Sequence, residues 1–548
     1  MGGLGMEKII YFNGDIITVN PNNEVAQAIL IENGLIMAVG STEDIRALSD
    51  ENTKEINLNG KTMLPGLIDP HGHLVAIAQT FTIINFSECS SKEEILKIIE
   101  DKLNNNPPKD GEWIIGFGYD NTKFEGEAHP TKFDLDRVSA QIPMFITHAS
   151  GHLAVVNSAA LEKLGYVGED YEVPEGGVVR TVAPDSKEPN GILEESACLD
   201  PEKKKLIPGP SFEALMDAIS KAQDIYAGYG ITTAQDASVD KNIHELLMAA
   251  ANANQLKIDI VGHAVQQVTF DLLTDMGTPK REYMNHFKLL GGKTWLDGSP
   301  QGKTAWLTKP YYEAPKGQDE DYCGYGTQTD EDVKAYFKGC IERTLQVNVH
   351  TNGDAAADQF IRCYNEALKE TGKQQDLRPV MVHAQTVRED QLDEMKALGI
   401  IPTFFLDHIW FWGDYHYESV LGPERANRIS PAASALKRGI NFTLHQDPPV
   451  KMPNQILAIH NAVNRQTQKG RVLGEEQKIS VMDAIRAVTI NGAYQNFEED
   501  IKGSLEKGKY ADLVILDKNP LKVEVDQIKN IQVLETIKQG EVIFKKVI

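Results

Sequence analysis

The sequence offers several residues able to hold a metal ion. His71-Gly72-His73 follows the apolar run Met63-Leu64-Pro65-Gly66-Leu67-Ile68. On an extended segment, side chains two apart point to one side, so both imidazoles can reach one ion. Imidazole suits zinc and similar divalent metals. Alone, the pattern equally fits two solvated turn histidines. Four more candidates sit at comparable places: Lys293 in a short apolar run, His350 after Val347-Asn348-Val349, His383 after Val380-Met381-Val382, and Asp447 in Leu444-His445-Gln446-Asp447-Pro448-Pro449. Taken singly, His350 or His383 reads as a core histidine bonded to backbone, and Asp447 as a carboxylate bracing a Pro-rich turn. Their repetition at strand ends favours one shared site. Metal-bound water loses a proton near pH ~7 and so supplies hydroxide. Asp447 could take up that proton and pass it to a leaving nitrogen. As an ammonium, Lys293 is a poor ligand, and on residue type alone a salt-bridged or snorkelling lysine is the simpler reading. It becomes a ligand if CO₂ adds to the amine as a carbamate. His129, His244, His286, His416 and His460 read as surface or packing residues.

Eight short apolar runs could position these groups: Met63–Ile68, Ile231–Ala234, Ile258–Val261, Lys293–Leu296, Val347–Val349, Val380–Val382, Ile400–Phe405 and Phe442–Leu444. Strands buried on both faces have this texture. Helical patterns lie between them. Ser91, Thr329 and Ser480 are helix-capping residues, and Gly230 and Gly399 are helix-ending ones. The expected fold is α/β, a (β/α)₈ TIM barrel whose chemistry lies at the C-terminal strand ends. The gap after the first strand exceeds one helix, which predicts an insertion over residues 76–210. Both chain ends are β-rich. Ile9–Phe12, Asp15–Thr18 and Ala28–Ile31 are joined by the hairpin signals Asn13-Gly14 and Asn33-Gly34, and Ala511–Leu516 through Phe544 repeat the texture. The expected division is a small β-sandwich from residues 1–62 and 491–548, flanking a barrel at 63–490.

Composition limits the partners. The 548 residues are 41% hydrophobic, and 55 Lys+Arg against 79 Asp+Glu leave a net charge of −24. Such a body repels nucleic acid and anionic lipid. Five scattered cysteines form no disulfide framework. No apolar run approaches membrane-spanning length, and MGGLGMEKII lacks a signal peptide's apolar stretch. The expectation is a cytoplasmic enzyme acting on a small molecule, without nucleic-acid or membrane partners.

Three sets of residues together carry a resemblance. The first is the stretch Leu64 to His73; the second is Gly116–Asp120 with His129-Pro130-Thr131 and Gly151–Ser158. The third is Gly292-Lys293 with Asp297-Gly298-Ser299, His350–Asp354, His383-Ala384-Gln385 and Gly503–Leu516. Together they resemble the amidohydrolase superfamily, in the branch containing N-substituted formamide deformylase and related metal-dependent hydrolases. The resemblance implies one or two divalent ions, usually Zn²⁺. His71 and His73 would bind the more buried ion, Lys293 would bridge as a carbamate formed with CO₂, and His350 and His383 would bind the second ion. Asp447 would be ligand and catalytic proton shuttle, and a homodimer is the family's habit. The branch often has Ser-Asp-Ala-Pro-Val where this chain has Gln446–Val450, and Glu-His where it has Val382-His383; neither difference removes a ligand.

Substrate contacts are expected from Tyr119, Asp120, His148 and His152, and from Trp410 and Trp412. The two tryptophans could wall an apolar pocket or equally anchor a long loop. The implied activity is hydrolysis of a non-peptide C–N bond of amide or formamide type. The alternatives are deamination of an amino-substituted heterocycle, cleavage of an ester, lactone or phosphoester, and a barrel kept as an inactive scaffold or regulator.

Overall fold

The computed structural model describes residues 8–547 apart from 106, 110, 150–152, 169, 175–176, 200–204, 276–280, 316–317 and 374. The chain divides into two compact units, Met1–Ile77 with Ile219–Ile548, and Ala78–Ala218.

In the first unit, eight parallel strands run side by side in chain order: Leu67–Asp69, Ile231–Val239, Asp259–Val265, Phe287–Trp295, Gln346–Thr351, Val380–His383, Ile401–Phe404 and Thr443–Leu444. Apolar side chains on both faces suit strands covered on both sides. The intervening helices bury one apolar face each. Asp330–Glu342 starts at Thr329, whose hydroxyl accepts the Asp332 N–H, and Glu389–Leu398 ends at left-handed Gly399. This is a nearly closed barrel in which first and last strands share no ladder among the described residues. Two buried glutamines span that seam. The Gln455 amide donates to Ile68 O at 3.2 Å and to Leu444 O at 3.3 Å. The Gln495 amide donates to Pro70 O at 2.9 Å and accepts from the Thr443 hydroxyl at 2.8 Å.

Both chain ends build a second sheet of eight strands: Lys8–Ile17, Val25–Glu32, Leu35–Gly40, Thr53–Asn57, Thr62–Pro65, Leu513–Leu516, Val533–Lys538 and Glu541–Lys545. Leu513–Leu516 pairs antiparallel with Thr62–Pro65, and one core joins Ile9, Ile29 and Met63 to Leu513 and Ile537. Two expectations are corrected. The run Met63–Ile68 is two strands, Thr62–Pro65 in the terminal sheet and Leu67–Asp69 in the barrel, with Gly66 between them. A Cβ on Gly66 would come within 2.3 Å of Thr232 Oγ1, so only glycine permits the change of sheet there. Asn13-Gly14 makes no hairpin. It is an irregularity within the single strand Lys8–Ile17, where pairing with Val25–Glu32 shifts register. Asn33-Gly34 does turn a hairpin, with φ of 54° and 76°.

The second unit carries a six-stranded sheet ordered Gly177–Thr181, Pro189–Glu195, Leu153–Val156, Met144–His148, Ile114–Tyr119, Ile84–Asn85. Helix Lys92–Asn105 packs Ile95, Leu96 and Ile99 into its core. Among the described residues, no helix is long and apolar enough to cross a membrane. The cysteines form no disulfide among the described residues.

A buried ionic cluster ties the start of the third barrel strand to the chain's end. Asp259 receives Lys502, Lys538 at 2.6 Å and His286 at 2.7 Å. Lys538 also meets Asp512 at 2.7 Å, and Glu498 meets Lys288 at 2.7 Å and Lys502 at 3.3 Å. Burial alone would raise the Asp259 carboxyl, but the ammonium groups of Lys502 and Lys538 prevail and hold it well below its ordinary range. Its contribution is therefore present above the unfolded value of about 3.9 and is lost as pH falls through the lower folded value. Asp259→Ala strands two buried lysines and is expected to destabilise by roughly 3–5 kcal/mol at pH 7, read from denaturant midpoints. The gap should narrow in acid.

Candidate metal centre

The first barrel strand runs into the loop that holds His71 and His73. Gly72 allows the tight course, because a Cβ there would lie 2.7 Å from Asp69 Oδ2 and 2.9 Å from Pro448. The loop is pinned from two sides. The Ala237 N–H donates to Gly72 O at 2.9 Å and the His73 N–H to Pro448 O at 2.9 Å. Asp236, inside the second strand, accepts the Val75 N–H at 2.8 Å and so fixes the start of helix Leu74–Thr80.

Lys293 lies inside the fourth strand, fully buried, with Nζ 3.3 Å from His71 Nε2. Asp447 Oδ1 is 3.5 Å from His71 Nε2 and 3.2 Å from His73 Nε2, and its Oδ2 is 3.9 Å from His383 Nε2. His383 Nε2 is 3.1 Å from His350 Nδ1. One ligand atom each from His71, His383 and Asp447 falls within 4.8 Å of the others. The structure thus brings together all six side chains expected from the sequence, at the C-terminal ends of strands one, four, five, six and eight.

The surroundings set the charge states. Burial, reinforced by the Lys293 charge, keeps the His71 and His350 imidazoles neutral, His350 at about 4, and burial with the neighbouring His350 does the same for His383. Neutral rings keep the lone pairs a metal needs. Burial would raise the Asp447 carboxyl, yet the His73 hydrogen bond and charge outweigh it and hold it at about 2. Desolvation lowers the Lys293 ammonium to about 7 against the pull of Asp447. His71, His73 and His383 have buried Nδ1 atoms without hydrogen-bond partners among the described residues.

His350 is oriented from behind. Its Nε2 donates to Gly298 O at 3.1 Å, which leaves Nδ1 facing His383. The same carbonyl accepts the Asn352 amide at 2.8 Å. Asp297 accepts the backbone N–H groups of Gly353, Asn352 and Trp306 at 2.7, 2.9 and 3.0 Å. Burial raises the Asp297 carboxyl to about 7 against those bonds.

The other expected residues fare differently. Trp412, in helix Asp407–Tyr415, packs 4.8 Å from the His408 ring and 6.2 Å from Phe405, which in turn faces His383 at 6.3 Å. Trp410, two residues earlier, faces away. It lies 5.6 Å from His460 with Lys529 over its ring at 4.7 Å, so the two tryptophans share no wall. In the second unit, buried Tyr119 meets His129 Nδ1 through its hydroxyl at 3.1 Å, and Asp120 is 4.0 Å from His148 Nε2. His152 lies outside the described residues. Sequence reasoning passed over His445 and Asp236, and it placed Asp297 and Asn352 in stretches that carry the resemblance without giving them a role. For His445 a signal existed: it stands two residues before Asp447, the spacing that singled out His71 and His73.

Residues 54–544 match the amidohydrolase family. The chain belongs to that family. N-substituted formamide deformylase of Arthrobacter pascens is 25% identical over 552 residues, covering 98% of each chain. Protein LONG AFTER FAR-RED 3 of Arabidopsis thaliana is 28% identical over 526 residues, 93% of this chain and 87% of that one. The crystal structure of an uncharacterized metal-dependent hydrolase from Pyrococcus furiosus superposes with a TM-score of 0.75 at 24% identity, covering 94% of this chain and 100% of that one. Membership makes the chain a hydrolase and implies a divalent metal, whose place the six clustered side chains fit.

Asp297→Ala leaves three N–H groups unpaired behind His350. It is expected to cost roughly 1–3 kcal/mol of stability, and to weaken metal retention by ~10–100-fold in chelator competition.

Proposed function

We propose that this amidohydrolase cleaves a non-peptide C–N bond of an amide or formamide-like small molecule, using one or two divalent ions held by His71, His73, Lys293, His350, His383 and Asp447. The observation that carries the reading is the donor set itself: the neutral imidazoles of His71, His350 and His383, with His73, the Lys293 amine and an ionised carboxylate, come together from five strands at separations of 3.1–3.9 Å. That set suits zinc above the harder, all-oxygen metals. The likeness to N-substituted formamide deformylase supports the amide class. The terminal sheet, expected as a β-sandwich from residues 1–62 and 491–548 and here including the strand Thr62–Pro65, serves the barrel as scaffold.

A divalent ion at this point would supply the Lewis acid that makes water nucleophilic near neutral pH. Asp447, already anionic, takes a proton from the attacking water and delivers it to the departing nitrogen, so the amine leaves neutral. His73 steadies that carboxylate at 3.2 Å. Lys293, lowered to about 7, presents free amine at neutral pH, the form that adds CO₂. As a carbamate it would offer oxygen donors to the metal alongside the histidines. Trp412 lines the apolar side, and its neighbour Phe405 shields the histidines from water.

Metal analysis after zinc reconstitution should find about two ions per chain, and the loaded protein should release amine from N-formyl or N-acyl compounds. Ammonia released from amino-substituted heterocycles instead would move the activity to deamination, and a protein that takes up no ion sinks the reading. Asp447→Asn is expected to lower kcat by roughly 10²–10⁴, whereas near-normal turnover would remove Asp447 from proton transfer. Lys293→Ala should lose metal and regain part of it with bicarbonate or a short carboxylic acid; unchanged metal content would rule out the bridging carbamate.

A further inference from the structure

A cavity of about 130 Å³ lies beside the loops that follow the fifth and sixth barrel strands. Leu307, Val387 and Leu421 give it apolar walls, and Arg388 and Arg425 reach it as well. None of the six metal-centre side chains lines it. The two guanidiniums are engaged differently. Arg388 uses all five N–H groups on carboxylates: Asp358 at 2.8 and 3.0 Å, Asp390 at 2.9 and 3.1 Å, and Asp354 at 3.4 Å. Asp354, also in the wall, accepts the Thr308 N–H at 2.9 Å and the Thr308 hydroxyl besides. Half-buried Arg425 meets only backbone carbonyls. Its Nε donates to Leu421 O at 2.9 Å, Nη1 to Lys309 O at 3.1 Å and Nη2 to Pro310 O at 2.6 Å. One N–H on each Nη is left over, the number a carboxylate takes in a bidentate pair. Burial disfavours this charge, and Asp354 and Glu424 offset that only from a distance, without a hydrogen bond. On the rim, Lys309 and Glu424 are exposed with opposite charges, and Arg428 pairs with Glu389 at 3.4 Å. Arg425 is thus the cation in the cavity whose charge no neighbouring side chain answers directly among the described residues.

We propose that this cavity is a ligand site separate from the metal centre, which takes a small monocarboxylate bearing one ring-sized apolar group. The carboxylate pairs with Arg425, and the ring lies among Leu307, Val387 and Leu421. The volume supports the size, since an apolar cavity of ~150 Å³ holds a benzene ring. The charge supports the head group, because a desolvated guanidinium beside apolar walls gains most from an anion it can bond directly. The occupant also touches the support of His350. Thr386, another wall residue, donates its N–H at 3.1 Å and its hydroxyl at 2.9 Å to Asn352 O. The Asn352 amide in turn holds Gly298 O, the carbonyl that orients His350. The site itself needs no metal.

Benzoate is the probe. Calorimetric titration of the purified protein should show saturable binding with a Kd of ~1 mM or below. Benzamide, alike in shape and uncharged, should bind at least ~10-fold more weakly. R425M keeps an apolar stem and removes the charge, and it should weaken benzoate by ~10-fold or more. Crystals soaked in para-bromobenzoate should show the anomalous signal of bromine among Leu307, Val387 and Leu421. No saturable binding up to ~10 mM overturns the proposal. So does benzoate affinity that R425M leaves within about twofold of wild type, because the ligand is then held elsewhere, the metal centre included. If R425M does not fold, the soak decides, and bromine found only outside this cavity overturns the assignment.

Discussion

Lys293, His71, His383 and Asp447 meet in a largely desolvated space, and their mutual approach is what the barrel must support. An amine, several imidazoles and a carboxylate at separations of 3.3–3.9 Å would be better solvated apart. The strands hold them there because their own burial is large and non-directional, while these polar groups sit within the last three residues of a strand or just beyond its end. Desolvation then does chemical work. It keeps the imidazoles of His71, His350 and His383 neutral and lowers Lys293 to about 7, while Asp447 stays ionised against burial through the His73 hydrogen bond and the charges of His73, His445 and Lys293. The apoprotein is accordingly a set of lone pairs facing one another, and a cation is the natural partner for such a set.

The supports form two tiers. Close in, Asp297, Gly298 and Asn352 hold the loop after the fifth strand, while Asp236 and Pro448 hold the loop after the first. At the barrel's opposite end, Asp259, Glu498 and Asp512 with Lys288, Lys502 and Lys538 join the barrel to the terminal sheet. Ion pairs of this kind are costly to bury and costlier to break, so they fix one arrangement rather than add much net stability. The terminal sheet thereby restrains the strand starts while the strand ends are left to the site.

The barrel and the meeting of the four histidines and Asp447 were legible because both follow from local rules, whereas Lys293 joined the set only through the family resemblance. A buried parallel strand announces itself as an apolar run, and a polar residue that ends several such runs must share their common end. What escaped depended on tertiary contacts. Nothing local separates Thr62–Pro65 from Leu67–Asp69; the division comes from Thr232 crowding Gly66. Asn13-Gly14 carries the residues of a tight turn, yet the strand runs on to pair with Val25 and Ala26. Trp410 and Trp412 are two apart, which puts them on one side of a strand but on nearly opposite sides of the helix they occupy. His445 was hidden by its company, since Asp447 accounted for the segment's chemistry.

The seam carries a consequence for synthesis. Gln455 and Gln495 are made after all eight strands, and they grip carbonyls of Ile68 and Pro70, 387 and 425 residues upstream. A ribosome-bound chain can therefore lay strands side by side in order, but the ring stays an open sheet until those two amides emerge. The loop with His71 and His73 waits over the same interval for Asp447. Ring closure and completion of the ligand set are thus one late event, and a chain cut short before it would present an unpaired sheet edge to its neighbours.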